Sequence, residues 1–252
     1  MKLPLTVALI TYNEEKNLPK TLEAINDIAS EIVIIDSHSK DKTVEIAKSY
    51  DARVFIEDWK GFRDQKNSLI KKCTQKWILF LDADEVVSEE LKKEIVKAVT
   101  DEKADGFMLN RKTFYAGKFL NHVWQPDWVL RLVKKESNPR WEGGNIHEYL
   151  STNGKVLKLK GFLYHYSYKN IYEHCIKSIK YAKLSAEEMY KNGKRFKFYK
   201  LILNPTWAFI KQYFIQRGFL DGIRGLSIAF SYLTSTFLKY LFLWELHIRR
   251  NR

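Results

Sequence analysis

Three short polar stretches stand out because each closes an apolar run. Asp82-Ala83-Asp84-Glu85 follows Trp77 to Leu81, Thr11-Tyr12-Asn13-Glu14 ends the run from Leu5, and Asp36-Ser37-His38-Ser39-Lys40-Asp41 ends the run from Glu31. Mg²⁺ and Mn²⁺ take oxygen ligands, typically one or two carboxylates completed by substrate phosphates and water. Two aspartates one residue apart at a strand end, Asp82 and Asp84, face the same way and can share that task. The other reading is a solvated turn with acidic residues at the start of the next helix. Tyr12 offers a ring for stacking on a nucleobase, and its neighbours offer hydrogen bonds, although such a segment also serves as a plain strand-to-helix turn. Asp36 can accept from a base N–H, while Ser39 and Asp41 are expected to cap the following helix.

These stretches need elements that bring them to one edge. The first hundred residues alternate strand and helix patterns, which predicts a parallel sheet with crossover helices. Strands are expected at Leu5 to Thr11, Glu31 to Asp36, Arg53 to Ile56 and Trp77 to Leu81, and helices from Leu18, over Lys42 to Tyr50 and over 64–73. Pro19 is tolerated in a first helical turn, and Ser88 with Glu89 and Glu90 has the pattern of a helix start. In open α/β sheets ligands bind beyond the carboxyl ends of the strands, where all three polar stretches fall. Residues 105–168 break into short strand-like runs, and from Ile171 the chain turns helical and aromatic. The expected division is a nucleotide-binding and catalytic domain over 1–169 and a helical extension over 170–252.

The chain has 252 residues and a net charge of +13. Residues 191–252 hold twelve Lys and Arg against Asp221 and Glu245, so ten of those thirteen charges sit in the tail. A uniformly basic nucleic-acid binder would not be built this way, and no helix-turn-helix, zinc-ligand or RNA-reading signature supports one. Cys73 and Cys175 fall in no metal or redox spacing, so a reducing compartment is expected. No signal-peptide layout follows Met1, which makes the cytoplasm the default.

VALITYNEEKNLPKTLEAI, IVIIDSHSKDKTVEIA, GFRDQKNSLI and WILFLDADE occur in this order. With their spacing, they make the sequence resemble the family 2 nucleotide-sugar glycosyltransferases of the GT-A fold, an α/β fold with a Rossmann-like, mostly parallel sheet. HEYL at 147–150, HYSY at 165–168 and NPTWAFIKQYFIQRGFLDGIRG at 204–225 make it most similar to the lipopolysaccharide-core branch. The resemblance implies that Thr11, Tyr12, Asn13, Glu14 and Asp36 hold the uracil end of a UDP-sugar. It implies that Asp82 binds ribose, that Asp84 binds Mg²⁺ or Mn²⁺ with Asp82 and Ala83 beside it, and that His165 is a further metal ligand. Otherwise His165 is a core histidine. Lys66 stands where relatives carry a basic residue near the donor, or is an exposed helix lysine.

An inverting displacement needs a base for the acceptor hydroxyl, and Glu148 is the candidate. Glu142 is its rival, and a surface salt bridge is the alternative role for Glu148. His147 is expected to orient neighbours. The Q-x-x-R-W motif of processive synthases is absent, so the resemblance implies addition of one hexose, glucose by analogy, to a lipid-linked saccharide such as the lipopolysaccharide inner core. Another surface glycan is the alternative acceptor, and an inactive scaffold the alternative role. Trp124, Trp128 and Trp141 can stack on sugars or fill a core. In the tail the longest uncharged run, Gly225 to Leu238, is fourteen residues. A span needs roughly 20 residues, so the basic and aromatic tail is expected to pack on the domain and to lie on the anionic inner leaflet.

Overall fold

The computed structural model describes residues 2–144, 148–168 and 170–249. The chain divides into two compact units, residues 1–112 with 126–165 and residues 113–125 with 166–252. The expected boundary after residue 169 therefore falls a few residues earlier, and the second unit also takes in 113–125.

In chain order the first unit holds β1 (Leu3–Thr11), α1 (Leu18–Glu23), β2 (Ala29–Asp36), α2 (Thr43–Ser49), β3 (Arg53–Ile56), α3 (Phe62–Lys72), β4 (Trp77–Asp82), β5 (Glu85–Val87) and α4 (Glu89–Asp101). β6 (Gly106–Tyr115) runs from the first unit into the second, where its end pairs with β7 (Lys118–Phe119). The first unit resumes with β8 (Trp128–Lys134), β9 (Arg140–Gly143), β10 (Glu148–Ser151) and β11 (Val156–His165). The strands lie in the order β3-β2-β1-β4-β8-β6-β11-β5, and β9 and β10 form a separate ribbon. β1, β2, β3 and β4 pair in parallel, as their alternation with helices predicts, whereas β8 runs antiparallel to both β4 and β6.

β1, β2 and β4 read as near-continuous apolar runs because helices cover both faces of the sheet. Leu5, Val7, Leu9, Ile34 and Leu79 turn one way, toward Leu18 and Leu22 of α1 and Leu91 and Ile95 of α4. Ala8, Val33, Ile35, Ile78 and Phe80 turn the other way, toward Leu69 of α3 and Trp141 and Leu150 of the ribbon. Each such fully buried large side chain contributes roughly 1.5–3 kcal/mol relative to an exposed one. Register then aligns the strand ends: Thr11 stands opposite Asp36, and Ile10 opposite Asp82. Ser88 caps α4, its Oγ accepting the Leu91 N–H at 3.2 Å. Gly161 in β11 has φ +83°, and a Cβ there would come within 2.5 Å of the Leu91 backbone nitrogen. Only glycine lets β11 lie this close to α4.

The second unit is built on α5 (Ile171–Lys191), α6 (Phe198–Ile210) and α7 (Ile223–Arg249). Residues 113–125 belong to it because Tyr115, Leu120 and Val123 share a core with Ile228. Asp221 reinforces this by accepting the N–H groups of Asn121, His122 and Val123 at 2.8–3.1 Å. α7 is one continuous helix of 27 residues, so the fourteen-residue uncharged run understates its apolar length. By length and composition alone it is long enough to cross a membrane, with mean hydropathy 1.3 over its most apolar window. Part of it packs inside the unit, where Tyr240 and Leu243 meet Ala186 of α5. Phe198, Leu203, Trp207, Phe214, Ile215 and Ile223 of this unit are exposed.

His174 of α5 is buried between the rings of Tyr115, Trp124 and Tyr168, its Nδ1 2.9 Å from the Tyr115 hydroxyl. Burial, helped by the nearby Lys177 charge, pushes its pKa down from 6.5 to about 4. The neutral ring is thus favoured in the folded state, and its contribution is complete above pH 6.5 and lost as the pH falls toward 4. Stability should drop by up to about 3 kcal/mol across that window. His174→Gln should flatten this slope in urea melts at pH 7 and pH 4.5, and an unchanged slope would contradict the assignment.

Candidate active site

At the carboxyl edge of the sheet the side chains after β1 and β2 interlock. The Thr11 hydroxyl donates to Asp36 Oδ2 at 2.8 Å, and the Ser39 N–H donates to Asp36 Oδ1 at 2.8 Å. Asp36 is fully buried. Ser39 does not cap the next helix as expected: its hydroxyl donates to Asp36 at 2.5 Å and accepts the Asn13 N–H at 2.8 Å. Asp41 does serve that end, accepting the Thr43 N–H at 3.0 Å. Asn13 adopts the left-handed conformation (φ 55°), tolerated by asparagine, and its Oδ1 accepts the Lys40 N–H at 2.8 Å. The Glu14 N–H donates to Thr43 Oγ1 at 2.7 Å, and its carboxylate accepts from Asn17 at 2.8 Å. Thr11, Asn13, Glu14 and Asp36 thereby fix two loops to each other. Tyr12 stays 56 % exposed, its ring displayed at the same edge.

Asp82 and Asp84 part company. Asp82, the last residue of β4, places Oδ2 2.7 Å from Arg131 and Oδ1 3.1 Å from Lys66. Burial alone would raise its pKa, but the charges of Arg131, Lys66, His165 and Arg111 outweigh it and hold the carboxyl well below the usual range. Glu85, wholly buried, accepts from Arg131 at 2.9 Å and from Arg111 at 3.4 Å, and its other oxygen accepts the Asp82 N–H at 3.0 Å. Burial would lower the Arg131 pKa, yet Asp82 and Glu85 raise it, so this guanidinium stays charged. Arg111 is also held by Asp127 at 2.8 Å. The Ala83 carbonyl accepts the Thr21 hydroxyl at 2.7 Å, tying the motif to α1.

Lys66 is no exposed helix lysine. It is buried, with Nζ 3.1 Å from Asp82, 3.2 Å from Glu148 and 4.4 Å from the centre of the Trp141 ring. Glu148 is therefore not a surface ion pair. It shares a cavity of about 510 Å³ with Lys66, Asp82, Arg111, Arg131 and Trp128, a volume within the usual range for ligand sites. Its rival Glu142 stands one register step away, opposite Tyr149, accepts that tyrosine's hydroxyl at 3.2 Å and does not line the cavity. His147 lies outside the described residues.

Asp84 points to His165 at the end of β11, with 3.5 Å between Oδ2 and Nε2. Neighbouring ligands of a cation bound at about 2.1 Å lie about 3 Å apart, so these two atoms would have to close slightly to share one coordination shell. Among the described residues no three His, Cys, Asp or Glu side chains gather at one such point. Both Asp82 oxygens are occupied by cationic side chains, which separates it from the expected three-ligand set. The tryptophans also divide. Trp141 is buried against Lys66 and Phe80, Trp124 is packed in the second unit against Tyr115 and Tyr232, and Trp128 is half-buried on the cavity wall.

Arg131 and Arg111 do not stand out in the sequence, and Glu85 does so only as the end of the Asp82 motif, with no role of its own. The signal was present for Arg131, a charge inside the apolar run WVLRLVK, since a charge in a buried strand needs a partner.

Residues 6–157 match the family described as Glycosyl transferase family 2. A lipopolysaccharide core biosynthesis glycosyltransferase, LpsC of Rhizobium meliloti, is 31 % identical, covering all of this chain and 96 % of the relative. An uncharacterized glycosyltransferase of Rickettsia typhi is 29 % identical over 96 % of this chain and 87 % of its own length. Among solved structures, S. aureus TarS 1–349 in complex with UDP-GlcNAc aligns over the whole chain and 93 % of its own, with TM-score 0.51 and 16 % identity. That likeness carries the fold alone, the GT-A arrangement of sheet and helices expected from the sequence. With the family match over more than half its length and a full-length relative above 30 % identity, the chain belongs to glycosyl transferase family 2.

Proposed function

We propose that the protein is an inverting, single-addition hexosyltransferase that moves a sugar, glucose by analogy, from a UDP-sugar to a lipid-linked saccharide of the lipopolysaccharide inner-core type. The observation that carries this reading is Glu148 facing Asp82 across Lys66 in one cavity, a carboxylate set beside the donor end of the sheet. Tyr12 stacks on the uracil, and the Thr11–Asp36 loops hold its edge. Asp82, kept ionised by Arg131 and Lys66, accepts from the ribose. Asp84 and His165 would hold Mg²⁺ or Mn²⁺, which would supply positive charge to neutralise the diphosphate and make UDP a better leaving group. Glu148 takes the proton of the acceptor hydroxyl as that oxygen attacks the anomeric carbon from the side opposite UDP. Lys66 fixes the Glu148 carboxylate in place. The name of the Rhizobium meliloti relative supports the acceptor class.

We further assign catalysis to the first unit, residues 1–112 and 126–165, and peripheral attachment at the cytoplasmic leaflet to the helices of 170–252. Exposed Phe198, Leu203, Trp207 and Ile215 are interspersed in sequence with Lys197, Lys200, Lys211 and Arg217, an apolar and basic combination suited to anionic lipid.

Incubation with a lipopolysaccharide-core acceptor, a panel of UDP-sugars and Mn²⁺, Mg²⁺ or EDTA should release UDP only with metal, and release from no donor would overturn the enzyme reading. Mn²⁺ should strengthen UDP binding to the wild type. Asp84→Ala should bind UDP equally with and without Mn²⁺ in calorimetric titrations. Glu148→Gln keeps an oxygen for Lys66, so UDP-sugar binding should persist while transfer falls by about 10²-fold or more. Normal transfer by this variant would place the base elsewhere.

A further inference from the structure

The sheet face that carries the cavity continues past it. On β8 and β6, Trp128 stands opposite Asn110 and Leu130 opposite Met108, and Trp128, Leu130 and Met108 line the cavity. The next strand is β11. Its Leu159 and Leu163 turn into the core with Leu91 and Ile95 of α4, so alternation sends Lys158, Lys160 and Phe162 to the opposite face. Contacts agree with that parity: Lys158 Nζ lies 4.6 Å from the centre of the Trp128 ring, and Lys112 Nζ lies 4.5 Å from that of Phe162. Among the described residues none of Lys112, Lys158 and Lys160 has a carboxylate within 4.0 Å, in contrast to Lys66 and Lys134 on the neighbouring strands and helix of the same unit. Three ammonium groups without a carboxylate partner thus share one sheet face, two of them over aromatic rings and Lys158 and Lys160 exposed, and Trp128 joins this face to the cavity that holds Glu148.

Resting on the transferase reading above, we propose that this face is the acceptor subsite and selects a saccharide bearing phosphate or carboxylate groups. Trp128 stacks on a sugar ring, and Lys112, Lys158 and Lys160 receive the anionic substituents. The rings beneath Lys158 and Lys112 hold those two ammonium groups near fixed positions.

The test is calorimetric titration of the full chain and of its K112Q/K158Q/K160Q variant. The probes are a phosphorylated inner-core oligosaccharide, the same oligosaccharide after hydrofluoric acid dephosphorylation or carboxyl reduction, a single-stranded oligonucleotide, and UDP. The wild type should bind the intact oligosaccharide with an affinity that falls as salt is raised, and the variant should bind it about tenfold more weakly. Dephosphorylation or carboxyl reduction should weaken the wild type and leave the variant unaffected, and whichever does so identifies the anion. UDP should bind both proteins alike. Failure of the wild type to bind the oligosaccharide, equal binding by wild type and variant, or tighter binding of the oligonucleotide each overturns the proposal. Failure of UDP to bind the wild type overturns the transferase reading, and the oligosaccharide titration stands independently of it.

Discussion

The first unit is organised around a cost that its chain must offset, the burial of charge at the carboxyl edge of the sheet. Arg131 and Glu85 are almost fully enclosed, and an isolated charge in that position would be heavily penalised by desolvation. One guanidinium nitrogen of Arg131 spans Asp82 and Glu85, while Glu85 also accepts from Arg111 and from the Asp82 backbone. Charge-assisted bonds of this kind are about twice as strong as neutral ones and demand fixed geometry. They therefore set where β4 ends, how β5 leaves it and how β6 and β8 stand beside it. A change that removed one partner would strand the others without water, so the site and the fold share the same bonds.

That arrangement decides what the two aspartates can do. From the pattern alone, Asp82 and Asp84 are interchangeable acids at a strand end. In the structure the first is enclosed by Arg131 and Lys66, and the second is turned to His165. The pairing with two cations keeps Asp82 ionised and immobile, which suits an acceptor of hydrogen bonds better than a ligand that must rearrange around a metal. Lys66 extends the same rigidity to Glu148, so a carboxylate about eighty positions further along the chain inherits its place from the β4 terminus.

Much of this was legible in the sequence, for identifiable reasons. Apolar runs ending on Thr11, Asp36 and Asp82 specify strands that end level with one another, because parallel strands joined by crossover helices share a carboxyl edge. Tyr12, Asp84, His165 and Glu148 could be named from resemblance. The partners of Asp82 could not, since they depend on which strand lies beside β4, and β8 comes from some fifty residues later in the chain. Nor does helical periodicity reveal that Lys66 is buried, because the ribbon carrying Trp141 and Glu148 covers α3 only once the chain has folded back. The transfer of residues 113–125 to the second unit was hidden for the same reason: Asp221, which anchors them, lies about a hundred residues away. His174 looks like any helix histidine until the rings of Tyr115 and Tyr168 close around it.

The charge balance inside the cavity bears on why such a site would need a divalent cation. Lys66, Arg111 and Arg131 are engaged by Asp82, Glu85, Asp127 and Glu148, three cations against four carboxylates. A diphosphate entering this neighbourhood would meet positive groups already committed to carboxylates and a net negative field. Freeing Lys66 for it would leave Glu148 without its cation, and freeing Arg131 would leave Asp82 and Glu85 with one cation each, whereas removing one partner of a buried pair costs roughly 3–5 kcal/mol. Adding positive charge at Asp84 and His165, which lie outside that network of short ion pairs, avoids the exchange. The same cluster that makes Asp82 a poor metal ligand is thus the reason to expect a metal next to it.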